Sequence, residues 1–106
     1  MIASVRGKVV ARDPALVVEV GGLGLAVHVS ARTAAQLPEL GAEVCLHTHL
    51  HVREDQLALY GFASAEERAL FLQLLGVNGI GPRVALTLLS SAPHEEFLRA
   101  LQAGDE

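Results

Sequence analysis

Val77-Asn78-Gly79-Ile80-Gly81-Pro82-Arg83-Val84 lies between two apolar segments of helical period, residues 65–76 and 83–89. A Gly-x-Gly between two helices lets the backbone take positive φ and approach a partner with no Cβ in the way. Pro82 suits the first helical position, where a missing N–H costs no intrahelical bond. The amides at that helix start stay free, the helix dipole favours an anion beside them, and Arg83 adds a positive charge. The run therefore reads as a helix-hairpin-helix, a clamp on the nucleic-acid backbone that ignores base sequence. Its competitor is a purely structural helical hairpin in a protein–protein scaffold domain, since short helix–helix connections use glycine for packing alone. A dinucleotide fingerprint fits worse, because the third Gly or Ala is missing and a helix precedes the glycines.

Upstream of this hairpin the period is that of strands. Residues 2–11 alternate in part, Asp13-Pro14 marks a turn, and 15–20 are β-branched and apolar. Gly21-Gly22-Leu23-Gly24 is a glycine-rich reversal followed by an alternating strand over 25–30, so a hairpin turn is favoured over a phosphate loop. Residues 31–37 predict a short helix stopped by Pro38 and Gly41, 43–52 a long strand and 57–62 a final one. About five strands and one short helix predict a small closed barrel. After Phe62 the period turns helical. Ser64 is a suitable N-cap, and Glu67 can complete a capping box. Leu70, Leu74 and Val77 with Phe71 and Leu75 form one apolar stripe, and Val84, Leu88, Ala85 and Leu89 another. Ser90-Ser91-Ala92-Pro93 should break the chain before a third helix over 94–101.

The formal net charge of −4 argues against a broad polyanion-binding face. Residues 1–62 carry five Lys/Arg against six Asp/Glu, and 63–106 carry three against six. Any nucleic-acid contact is therefore local, through helix N-termini and a few arginines, or a basic portion lies outside this chain. A single cysteine, Cys45, forms no internal disulfide and fits a reducing cytosol. Its place in a strand-like run predicts a half-buried thiol rather than a nucleophile. No apolar run is long enough to span a membrane.

Three groups of residues could carry chemistry. Glu54 and Asp55 are adjacent carboxylates at the expected tip between two strands, flanked by Arg53 and Gln56. They form a solvated hairpin, or they repel phosphates and so penalise the wrong DNA geometry. A metal site would need further convergent ligands, and a glycosidase pair would need carboxylates flanking a bond. His47, His49 and His51 alternate along one strand and share a face. Same-face neighbours about 7 Å apart on a strand suit three zinc ligands poorly, so a polar or partner-facing surface is expected. The few aromatics (Tyr60, Phe62, Phe71, Phe97) offer little stacking surface for single strands, and Tyr60 and Phe62 are expected to pack the barrel on the helices. No catalytic triad order and no P-loop is present. A hairpin-containing glycosylase or nuclease would need a Lys or Asp after the hairpin, where only Asp105 follows, Lys8 being the only lysine.

Taken in order, these residues resemble the RuvA family, Holliday-junction-binding subunits of the bacterial branch-migration machine. The resemblance rests on the Met-Ile…Arg-Gly opening, Val18-Glu19-Val20-Gly21-Gly22-Leu23-Gly24, Val52-Arg53-Glu54-Asp55, Leu59-Tyr60-Gly61-Phe62, Glu67-Arg68-Ala69-Leu70-Phe71 and Asn78 to Leu86. It implies a five-stranded OB-fold barrel over residues 1–62, then a helix-hairpin-helix domain over 63–106 holding the first of two hairpins. It implies an acidic pin at Glu54 and Asp55, and phosphate binding at Asn78, Gly79, Gly81, Arg83 and Val84. It further implies a non-catalytic subunit without cofactor or metal, in the bacterial cytoplasm. Its partners would be a four-way DNA junction, copies of itself in a tetramer or face-to-face octamer, a RuvB-type ATPase and a RuvC-type resolvase. The family's second hairpin and its motor-binding C-terminal domain are expected beyond Glu106, making this chain the N-terminal part of the family's length.

Overall fold

A computed structural model of the 106-residue chain describes residues 2–12 and 15–91. Five strands, β1 (Ser4–Ala11), β2 (Leu16–Val20), β3 (Leu23–Val29), β4 (Glu43–Arg53) and β5 (Gln56–Phe62), close into a barrel in the order β1-β2-β3-β5-β4. All neighbours are antiparallel except β3 and β5, which run parallel with Val27 opposite Leu59 and Val29 opposite Gly61. Closure leaves no open sheet edge. A short helix, α1 (Ala31–Ala34), lies between β3 and β4, and two longer ones, α2 (Ala65–Leu75) and α3 (Pro82–Ser91), follow the barrel.

Strand alternation sorts the side chains into two cores. Val5, Val9, Leu16, Val18, Val27, Leu46 and Leu59 fill the barrel. Ala58, Tyr60 and Phe62, on the opposite face of β5, join Leu70, Phe71 and Leu74 of α2 and Ala85 and Leu89 of α3. Phe71 is the hub of that second core, with its ring centroid 4.8 Å from Phe62 and 5.3 Å from Tyr60. Full burial of each large apolar side chain contributes about 1.5–3 kcal/mol. The expectation that Tyr60 and Phe62 pack the barrel on the helices is met.

Several local expectations need correction. The β2–β3 reversal uses Gly21 and Gly22 alone, with φ of 57° and 90°, and Val20 pairs with Leu23 across it. Two consecutive positive φ values make the tight primed turn that suits strand twist, so Leu23 and Gly24 already belong to β3. Helix α1 stops at Ala34 instead of reaching Leu37, because Gln36 and Leu37 donate to Thr33 and Ala34, three residues back. Helix α3 does not break at Ser90. The Ser90 hydroxyl bonds back to the Leu86 carbonyl at 2.8 Å and accepts the Ala31 amide at 2.8 Å, so serine is absorbed into the helix. Cys45 is exposed on β4 rather than half-buried. Val84 is 49% exposed, leaving its expected stripe to Ala85 and Leu89. The Asp13-Pro14 turn, the Ala92-Pro93 break and the third helix over 94–101 lie outside the described residues.

The capping box at α2 is only half built. Ser64 Oγ accepts the Glu67 amide at 3.1 Å as expected. The Glu67 carboxylate turns away from its own helix start. It accepts the Ser30 hydroxyl at 2.7 Å and the Thr33 hydroxyl at 2.6 Å, and Glu67 is only 2% exposed. Two hydroxyls at the start of α1 satisfy a buried carboxylate better than one backbone amide, so tertiary contact overrides the local motif. Arg68 ties the same helix to the barrel, its Nε–H bonding the Thr48 carbonyl at 2.6 Å.

Candidate nucleic-acid interface

Strands β4 and β5 form a ribbon whose register runs from His47–Phe62 to Arg53–Gln56, with Glu54 and Asp55 as its two-residue tip. Neither tip residue has positive φ, so the turn is not of the primed type. Both carboxylates are exposed, and neither has a partner among the described residues. Beyond the barrel mouth the inward-facing pair Val52 and Leu57 loses its cover and stands 59% and 69% exposed. The tip therefore projects from the barrel on a short stretch of ribbon.

The opposite face of the ribbon carries His47, His49, His51 and Arg53 from β4, beside Phe62, Tyr60, Ala58 and Gln56 from β5. Its lower half lies under α2, where the His49 ring sits 6.0 Å from Phe71, and within the ribbon the His51 ring lies 6.4 Å from Tyr60. Burial, then the neighbouring charges of His51 and Arg68, push the His49 pKa below 6.5. Among the described residues no three His, Cys, Asp or Glu side chains are grouped to hold a metal ion. The histidine face is a packing surface for α2 in its lower part.

The connection between α2 and α3 is built from turns. Gly76 and Val77 donate to Gln73 and Leu74, and Ile80 donates to Val77 at 3.1 Å across Asn78 and Gly79. Gly79 holds φ of 85°, the value a type II turn requires at that position. Gly81 has no positive φ, and a Cβ there would meet nothing within 4 Å. The fold thus gives no internal reason for glycine at 81, and the space above it is open. Ala85 donates the first intrahelical bond, to the Gly81 carbonyl at 2.9 Å. The amides of Arg83 and Val84 precede that bond, at the positive end of α3. Asn78, Gly79, Arg83 and Val84 are exposed, whereas Pro82 is buried.

The upper half of the ribbon and the start of α3 face each other across a cleft. Its volume is about 180 Å³, and His51, Arg53, Gln56, Ala58, Tyr60, Gly81, Pro82, Arg83 and Val84 line it. In the sequence alone Arg53 and Gln56 stand out only as flanks of the acidic tip. The signal that could have found them is the His47-His49-His51-Arg53 alternation, which sets Arg53 on the face that the helices cover.

Comparison with known proteins agrees with this architecture. Residues 1–61, the barrel, match the family model described as the RuvA N terminal domain. Among curated relatives, the Holliday junction branch migration complex subunit RuvA of Herpetosiphon aurantiacus is 52% identical over 99% of this chain and 54% of its own length. Proteins of the same description from Halorhodospira halophila and Thioalkalivibrio sulfidiphilus are 48% and 47% identical, again over 99% of this chain and 52% and 53% of theirs. The chain spans about half the length of the curated relatives it matches. With more than half of its residues matched by that family model and its barrel closed in the order described, the chain belongs to the RuvA N-terminal domain family.

Proposed function

We propose that the chain is the junction-recognising part of a RuvA-type branch-migration subunit, non-catalytic and acting on four-way DNA. The observation that carries this reading is the cleft itself, which sets the ribbon bearing Glu54 and Asp55 against the helix start bearing Gly81, Arg83 and Val84. Residues 1–62 act as an OB-fold barrel, and 63–106 as a DNA-binding domain with one helix-hairpin-helix. Asn78, Gly79, Gly81, Arg83 and Val84 hold backbone phosphates through amides and one guanidinium. Glu54 and Asp55 act as the repulsive pin.

The physics suits a protein that must recognise shape and still let DNA move. Contacts to phosphates carry no base information, so the clamp tolerates sliding. A projecting pair of carboxylates penalises a continuous duplex laid across it and favours an open crossover. Four copies around one junction would place one clamp on each arm and turn weak contacts into strong binding through effective concentration. A tetramer, alone or as a face-to-face octamer, is the assembly that fits four arms. ATP hydrolysis would belong to a RuvB-type motor reached through sequence beyond this chain, with a RuvC-type resolvase as a later partner, in the bacterial cytoplasm.

The test is electrophoretic mobility shift on a four-way junction against linear duplex of equal length at two salt concentrations. Salt-sensitive preference for the junction is the expected result. Equal affinity for both substrates, or no binding by the 106-residue chain, would reject the assignment for this part of the protein.

A further inference from the structure

We propose that the barrel supplies half of a phosphate seat: Arg53 of β4 and Arg83 of α3 grip a single DNA-backbone phosphate in the cleft between them. The inference deepens the junction-binding reading and rests on it. Arg53 and Arg83 line the same cleft from opposite walls. A second, smaller cavity of about 140 Å³ adjoins Arg83 and shares Gln56 and Tyr60 with it, with His28 and Leu86 completing the wall. A water occupies about 30 Å³ of liquid, so the cleft admits one phosphate with some of its hydration.

Position separates these two from Arg6, which is exposed too but lies on β1 and lines neither cavity, and their state separates them from Arg12 and Arg68. Arg12 donates to the carbonyls of Pro38 and Ala34, and Arg68 donates to that of Thr48, so both serve the fold. The side chains of Arg53 and Arg83 are exposed, and neither guanidinium has a bonding partner among the described residues, in a chain of formal net charge −4. Two uncommitted guanidinium groups thus border one cleft, and none of the described residues that line it is a carboxylate. Each can offer paired N–H donors to phosphate oxygens. Gln56 adds a side-chain amide, and the Arg83 and Val84 backbone amides add the helix start. Arg53 directly precedes Glu54, so attraction in the cleft and repulsion at the tip lie one residue apart. A backbone seated by Arg53 is held at a fixed offset from the pin, and the hairpin alone could not fix that offset.

The test uses the 106-residue chain with Arg53→Gln, Arg83→Gln and the double substitution. Both side chains are exposed, and amide spectra verify that each variant is folded. In the first arm, inorganic phosphate is titrated while the Arg83 and Val84 amide signals are followed. Saturable shifts are expected in the wild type, with affinity about five- to tenfold weaker in each single variant. In the second arm, junction affinity is measured over a salt series. Counterion release counts phosphates rather than arginines, so the double variant should flatten the salt slope by about 0.9 per bound subunit. A loss of about 1.8 would mean two separate phosphates and overturn the shared seat. Unchanged binding in Arg53→Gln, with weakened binding in Arg83→Gln, would overturn the barrel's role and leave the hairpin reading intact. If Arg83→Gln also binds like the wild type, or neither probe binds the wild type, the hairpin reading fails and the seat fails with it.

Discussion

Glu67 is a point where the fold is exposed to a single polar change. Its carboxylate is buried and accepts two hydroxyl bonds at 2.7 and 2.6 Å, from Ser30 and Thr33. Those hydroxyls have already spent acceptor capacity, on the Thr33 amide at 3.1 Å and the Ala63 amide at 3.2 Å respectively. Both therefore point their protons at Glu67, which must accept on both oxygens. Glutamine keeps one acceptor and turns an NH2 toward the other hydroxyl, leaving a proton with nothing to meet. That substitution should cost about 1–3 kcal/mol, one unsatisfied buried donor plus lost charge assistance. Alanine orphans both hydroxyls and leaves a void, for about 3–5 kcal/mol. A chain of this size has about 5–15 kcal/mol in total, so Glu67→Ala should remove a large share of the stability. Urea denaturation followed by circular dichroism measures both, and midpoints shifting at constant slope report stability alone. Each kcal/mol should also lower Tm by about 4–8 °C. If Glu67→Ala stays within about 0.5 kcal/mol of wild type, or costs no more than Glu67→Gln, the network does not hold the helices as argued.

Two further outcomes follow from the surface. Glu54→Gln with Asp55→Asn should leave the urea midpoint unchanged while raising duplex binding and narrowing junction preference. The gain should be largest at low salt, since exposed charges are screened beyond about 8–10 Å at ordinary ionic strength. Unaltered duplex affinity at low salt would count against the pin. The lowered His49 pKa makes stability depend on pH. Because the folded form resists protonation, the unfolded chain binds the extra proton first as pH falls through 6.5. Stability is full above 6.5, declines below it and levels off once pH passes the lower folded pKa. His49→Gln should flatten that decline, and an identical pH profile in the variant would refute the burial of His49 against Phe71.

Much of the architecture was legible because period carries it. The alternation of Val5, Val9, Leu46 and Leu59 and the helical stripe of Leu70, Phe71 and Leu74 each mark one buried face. The α2–α3 hairpin was legible from Gly79 and Pro82, whose backbone limits act locally. What sequence could not fix depends on partners distant in the chain. Glu67 finds Ser30 and Thr33 more than thirty residues upstream, so its local capping motif misleads. Arg53 and Arg83 line one cleft only because closure of the barrel and the pairing of His49 with Tyr60 bring the ribbon under α3. Cys45 misled for a simpler reason: alternation shows which residues share a face, but not whether anything covers the face opposite the core.

The placement of β5 explains how the proposed clamp and pin would act as one instrument. Leu59 points into the barrel while Ala58, Tyr60 and Phe62 carry the helices, so both faces of the strand are committed. Gly61 belongs to the inner face, where an added Cβ would come within 2.6 Å of Val27 Cγ1 and 3.1 Å of Leu46 Cδ1. Absence of a side chain there lets the barrel close while Phe62 seats Phe71. The strand that bears the helical layer is thus the continuation of the strand that leaves the acidic tip, four residues from Asp55 to Leu59 along one extended backbone. At about 3.3 Å per residue, that span is short and stiff. The groups on α3 proposed to hold phosphates cannot move far relative to Glu54 and Asp55 without breaking the packing of Tyr60 and Phe62 on Phe71. Recognition of a DNA shape requires such rigidity, because attraction and repulsion discriminate between geometries only when the distance between them is fixed.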